Sequence, residues 1–176
     1  MSFGHHGSAI IEGRRHRTPE PTRGTRVEFS VDQMLADLAE QTERALAAGF
    51  IATMIATILL YYAATAFGLK PIDLSAFLAS RMANNPMLGA MGHYVTGVIA
   101  FPAAFLVFWR ALPGSSIVKG LIWGLITWFL GQFILLPAVN GGFLADTFAW
   151  RTIVVMLMGH LVYGFVLTGV LGDISA

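Results

Sequence analysis

The 176-residue sequence contains no cysteine. Disulfides, thiolate metal sites and cysteine nucleophiles are therefore excluded. Charge is scarce as well. Only 12% of residues are Asp, Glu, Lys or Arg, about half of the roughly 25% found in soluble domains. What charge there is crowds the start of the chain: six of the eleven Lys and Arg, and seven of the ten Asp and Glu, precede residue 45. The rest of the chain is close to uncharged, which is a membrane composition and makes the lipid bilayer its first partner. The net charge is +1 and no basic block occurs, so nucleic acid is not an expected partner. The sequence also lacks the H-E-x-x-H, G-x-S-x-G and Walker patterns, and no residue is assigned a catalytic role. His5, His6 and His16 have no acidic or Cys ligands clustered with them and the methionines are scattered, so no metal site is expected.

What is present is four long apolar runs. Residues 1–29 are rich in Gly, Pro, Arg, Thr and His and form a polar extended tail without periodicity. No apolar stretch follows the early arginines until after Ala45, so the start does not read as a signal peptide. Over residues 30–44, Ser30 and Gln33 have capping-box spacing, and Met34, Leu35 and Leu38 share one face. That segment reads as an amphipathic helix at the membrane surface. Spans follow at about 45–69, 87–109, 117–136 and 150–171, each long enough for a hydrocarbon core of roughly 30 Å. Lys70-Pro71 is expected to end the first span, and Asp73–Met82 to form a short interfacial helix. Residues 173–176 are a short C-terminus. The expected fold is all-α: a four-helix transmembrane bundle after the surface helix and tail.

Basic residues set the orientation. The tail with Arg110 and Lys119 contributes eight, and the opposite side, with Lys70, Arg81 and Arg151, three. This places both termini in the cytoplasm, across what is read as a bacterial inner membrane. The tail supplies most of the excess.

The second half of the membrane region echoes the first. Met91-Gly92-His93-Tyr94-Val95-Thr96-Gly97 and Met158-Gly159-His160-Leu161-Val162-Tyr163-Gly164 share M-G-H-x-V-x-G at an offset of 67 residues. Upstream, Ala48-Gly49-Phe50-Ile51 parallels Lys119-Gly120-Leu121-Ile122. Two tandem helix pairs follow, related by an axis along the membrane normal. The repeat puts one histidine in each half. At 1.5 Å per residue, His93 and His160 lie about 9 and 15 Å into their spans, in the outer half of the bilayer. Ionisable residues at such depth are functional candidates. Gln132, Thr127 and Tyr163 stand behind them as further polar groups. Gly92, Gly97, Gly159 and Gly164, with the GxxxG pair Gly120 and Gly124, are expected at helix-packing seams.

The repeated G-H-(aromatic or Leu)-V-x-G helices, the K-G-L-I-W-G-L opening of the third span and the Leu-Pro at its end resemble a family of uncharacterised bacterial four-helix membrane proteins. The resemblance runs from about Gly49 to Gly172. It implies the fold and its boundaries, and no activity.

Three readings of the histidine pair follow. The imidazoles can pack structurally, can meet a quinone or lipid headgroup, or can ligate a b-type haem from its two faces. Beyond Arg81 and Arg151 there is no arginine pair for haem propionates. At the level of the whole chain, small size, absence of a catalytic set and a basic Pro-containing tail point to a non-catalytic accessory subunit of a larger membrane complex, respiratory or photosynthetic. Other subunits of that complex would be contacted through residues 1–44. A haem b electron carrier is the alternative. A small transporter or channel ranks last, because the spans show no charged or Gly/Pro-broken pair suited to a substrate site.

Overall fold

The structure is a computed structural model that describes residues 31–140, 142 and 149–172, with side chains described from residue 39 onward. The polar tail, the tail histidines, residue 141, residues 143–148 and residues 173–176 lie outside the described residues, as do the side chains of the Met34–Leu38 face. Five helices make up the described chain: α1 Val31–Ala66, α2 Leu74–Arg81, α3 Pro86–Ala111, α4 Ser116–Ala138 and α5 Trp150–Leu171. All but α2 are long and apolar enough to cross a membrane. The protein is an all-α, multi-pass membrane protein.

Local chemistry explains the boundaries. Helix α1 passes through Arg44 and Ala45 without a break, because no Gly or Pro interrupts the good helix formers there. The segment read as a surface helix and the first span are thus one continuous helix. Its end comes at Ala66, earlier than Lys70-Pro71. Gly68 adopts φ +70°, the Leu69 N–H bonds to Ala64 O at 2.9 Å and the Gly68 N–H bonds to Thr65 O at 3.0 Å. These are the two bonds of a Schellman C-cap, in which glycine takes the left-handed position. Asp73 caps α2 through the Ala76 N–H. Asn85 caps α3 through the Met87 and Leu88 N–H groups, with Pro86 in the first turn.

Packing within the bundle relies on small side chains. Lipid tails are as apolar as leucine, so burial from water does not drive spans together, and close backbone approach must. On α1, Ala45, Ala48, Ala52, Ala56 and Ala64 form a buried stripe that lets α5 and α3 approach. The tightest seam joins α4 to α5. A Cβ on Gly164 would overlap Gly120 O and lie 2.7 Å from Gly124 N, and one on Gly124 would overlap His160 O. The α1–α3 seam has the same design: a Cβ on Gly97 would come within 2.5 Å of Thr53 Oγ1, and one on Gly49 within 2.8 Å of Val98 O. In the repeat alignment Gly49, Thr53 and Gly97 are the counterparts of Gly120, Gly124 and Gly164, so the two helix pairs use equivalent contacts. Gly159 instead receives Leu60 of α1. Gly92, expected at a seam, has ordinary clearance, with Leu78 Cδ1 3.6 Å from a built Cβ.

The α3–α4 edge differs. These helices meet through long side chains near their hairpin, where Phe105 packs between Trp109 and Trp123 with ring centroids 5.2 and 5.5 Å apart. Lys119 Nζ donates to Trp109 O at 3.1 Å and sits 4.0 Å over the Trp109 ring. At the same end, the Arg44 guanidinium donates to Leu171 O at 2.7 Å and caps α5. Arg44, Arg110 and Lys119 therefore share one end of the bundle.

The glycine seams make a direct prediction. Gly164→Ala should lower the stability of the detergent-solubilised protein by about 1–3 kcal/mol, the usual cost of overpacking. Gly169→Ala, with nothing within 4 Å of the added Cβ, should be neutral or slightly stabilising. Thermal unfolding of the two variants beside the parent checks this, and equal effects would refute the seam.

Candidate binding cavity

Two irregular turns shape the middle of the bundle. Within α3, Val95–Ala100 is wound as a π-helix, and the Phe101 N–H reaches back five residues to Thr96 O. The next residue, Pro102, has no N–H. In an α-helix Gly97 O would accept from residue 101, and in a π-helix from residue 102, so here it receives neither. Within α4, Gly131–Leu135 is wound the same way and the Leu136 N–H returns to Gly131 O. Pro137 stands where the donor to Gln132 O would be. Both turns thus place a proline five residues after a carbonyl deprived of its ladder partner. The sequence reading expected no Gly/Pro-broken pair suited to a substrate site; α3 and α4 stay continuous helices, each with one π turn before a proline. The two helices are not equivalents in the repeat, however. A π turn is a frequent companion of functional sites.

For Gly97 the missing donor comes from another helix. The buried Tyr163 hydroxyl of α5 donates to Gly97 O at 2.7 Å. In lipid an unpaired carbonyl costs several kcal/mol, so this bond secures the interrupted α3.

Above this bond lies a cavity of about 110 Å³. All five helices contribute to it. Its walls are mostly apolar, with Leu60, Leu74, Leu78 and Phe101 among them, and its polar groups are few and convergent. His93 and His160, one from each half of the repeat, both line it, as do Gly92, Gly97 and Gly159. Gly120, Gly124 and Gly164 belong to the seams and lie away from it.

Each polar side chain has a definable state. His93 Nε2 is 2.9 Å from Thr57 Oγ1. His160 Nδ1 is 2.9 Å from Met156 O. A carbonyl only accepts, so Nδ1 carries the proton, and in the uncharged imidazole Nε2 is a bare acceptor. That Nε2 lies beside Gly131, 3.7 Å from where a Cβ would stand. Gln132 is 1% exposed; its Nε2 meets only Met156 Sδ at 3.9 Å, and its Oε1 has no partner. Thr53 Oγ1, 2% exposed, has none either.

The sequence pointed to the histidines but ranked Gln132 behind them and missed Thr53, Thr57 and Met156. A threonine in a helix carries no polarity signal of its own, because it can bond its own backbone. The available signal was position: Thr53 and Thr57 are four apart, on the face of the alanine stripe.

A haem held between the two imidazoles would require His93 Nε2 to leave Thr57 Oγ1, 2.9 Å away. Among the described residues no group of three His, Asp or Glu side chains is placed to hold a metal ion.

Residues 39–176 match the sequence model of DUF6789, described as a family of unknown function. No curated protein and no solved structure matches the chain.

The interhelical bond makes the second prediction. Tyr163→Phe orphans Gly97 O and should cost about 1–3 kcal/mol. Pro102→Ala restores an N–H within reach of that carbonyl, so the Tyr163→Phe cost should shrink markedly in the Pro102→Ala background. A double-mutant cycle by chemical denaturation in detergent measures this, and additive effects would show that the two residues are not coupled through Gly97.

Proposed function

The chain belongs to DUF6789, and from that premise we propose that it is a non-catalytic accessory subunit of a bacterial membrane complex whose core cavity holds the polar head of a lipid-soluble molecule of the quinone or lipid class. The single observation that carries this reading is the convergence of His93, His160, Gln132 and Thr53 on one apolar-walled cavity, with Gln132 Oε1 and Thr53 Oγ1 unpartnered. Apolar walls with a few convergent polar groups are the usual make-up of a small-molecule site. A buried polar atom without a partner in lipid is costly, and a bound headgroup would repay that cost. In a respiratory or photosynthetic complex, such a subunit would stabilise assembly and shape quinone or lipid access.

The protein would lie in the inner membrane with both termini cytoplasmic. The basic-residue excess supports this, and Arg44, Arg110 and Lys119 at one end of the bundle agree with it. Residues 1–44 are the proposed contact with other subunits. Transport ranks lower, because the interrupted helices α3 and α4 are not repeat equivalents, whereas transporter sites use interruptions at corresponding positions.

Purification in mild detergent with mass spectrometry of both protein and organic extract tests the proposal. The expected result is a co-purifying set of membrane subunits and an amphiphile retained by the parent. That amphiphile should fall at least about fivefold in His160→Leu and Gln132→Leu, the loss of one buried hydrogen bond. A chain that runs alone, with an extract unchanged by either substitution, would overturn it.

A further inference from the structure

The hydrogen-bonding sense of the cavity specifies more than its polarity. This inference rests on the reading of the cavity as a binding site. Of the polar side chains that line it, two carry an acceptor atom without a strong partner. His160 Nε2 is an acceptor because Nδ1 already donates to Met156 O. Gln132 Oε1 is an acceptor by nature and has no donor within reach. Its amide Nε2 faces the thioether of Met156 at 3.9 Å, a weak acceptor and no donor, so the amide oxygen keeps its acceptor capacity unspent. Thr53 Oγ1 can act either way. His93 Nε2 is engaged by Thr57. Both committed atoms therefore ask for an incoming O–H or N–H, and a carbonyl head would set oxygen against oxygen and nitrogen lone pairs.

Size narrows the class further. The 110 Å³ cavity admits a headgroup but not a whole amphiphile. Three edges of the bundle are closed by tight helix packing, α4–α5, α5–α1 and α1–α3. The α3–α4 edge is closed only by the aromatic cluster near the hairpin, and Leu135 on the α4 side of the cavity is 39% exposed. An apolar tail would leave through that edge into lipid.

We infer that the cavity selects a hydroxyl-bearing head, so that a hydroquinone or a lipid alcohol binds in preference to the matching quinone or ester, with His160 Nε2 and Gln132 Oε1 accepting its O–H groups. No redox step is involved; the site distinguishes the two forms by donor against acceptor. The shared chemistry is the hydroxyl, and its two sources are separated by the probes.

The test is calorimetric titration of the full chain in nanodiscs with decyl-benzoquinone, its reduced hydroquinone under anaerobic conditions, and 1-decanol. The hydroquinone should bind at least about fivefold more tightly than the quinone, the worth of one satisfied buried acceptor. Gln132→Met, which keeps the side-chain volume and removes the acceptor, should bring the two forms to near equality. The parent should also retain hydroquinone in the presence of excess quinone. Decanol binding on a par with the hydroquinone would assign the site to lipid alcohols, and decanol binding well below it would assign the site to quinols; either supports hydroxyl selection. Quinone binding as tightly as hydroquinone, or more tightly, overturns the inference while leaving the cavity a binding site. Absence of saturable binding for all three probes overturns the binding-site reading itself.

Discussion

A bilayer offers a backbone carbonyl no partner, and that constraint governs this structure more than any other. Each span meets it by winding as a helix from end to end. Two spans also carry a proline where a donor is needed, and there the ladder must be repaired from outside. The Tyr163 hydroxyl on Gly97 O is the repair in α3. It ties α5 to α3 at the floor of the cavity and so couples helix continuity, bundle geometry and site shape in one bond. The same prolines that interrupt the ladder turn the neighbouring residues inward: Thr96 and Gly97 on one side, Gly131 and Gln132 on the other, all lining the cavity.

The glycine seams explain why the cavity stays open. Where backbones can touch, at Gly120–Gly164 and Gly49–Val98, the helices close completely. Gly92 and Gly131 have no such neighbour pressed against them, and there the helices stand apart. The repeat gives both halves the same seam, yet the fill between the halves is asymmetric. His93 has Thr57 as its partner, whereas the alignment puts Trp128 in the position equivalent to Thr57, and His160 turns instead to its own helix backbone. One histidine is thereby satisfied across the bundle and the other presents an open nitrogen. Two similar seams thus frame one asymmetric interior.

Much of the fold was legible in the residues. Uncharged runs of about twenty residues have one stable solution in lipid, so the four spans and their hairpins followed from composition and length. The M-G-H-x-V-x-G echo exposed the repeat, and the glycines in it marked the seams because nothing larger lets backbones meet. The misreadings were local. Gly68, rather than Lys70-Pro71, ends α1, since a left-handed glycine closes the last turn before the proline is reached. Gly92 resembled its seam-forming neighbours in sequence but has room around it.

The sequence by itself determined that this protein is a helical membrane bundle and that its two histidines are the costly residues within the spans. Hydropathy, spacing and the expense of polar groups in lipid are properties of the chain, readable without coordinates. Only the tertiary structure decided that the histidines share one cavity and that Gln132 and Thr53 join them with unpartnered oxygens. Those facts depend on which helix faces which and on where two prolines break the ladder, and side chains from four spans converge only once the backbones have packed.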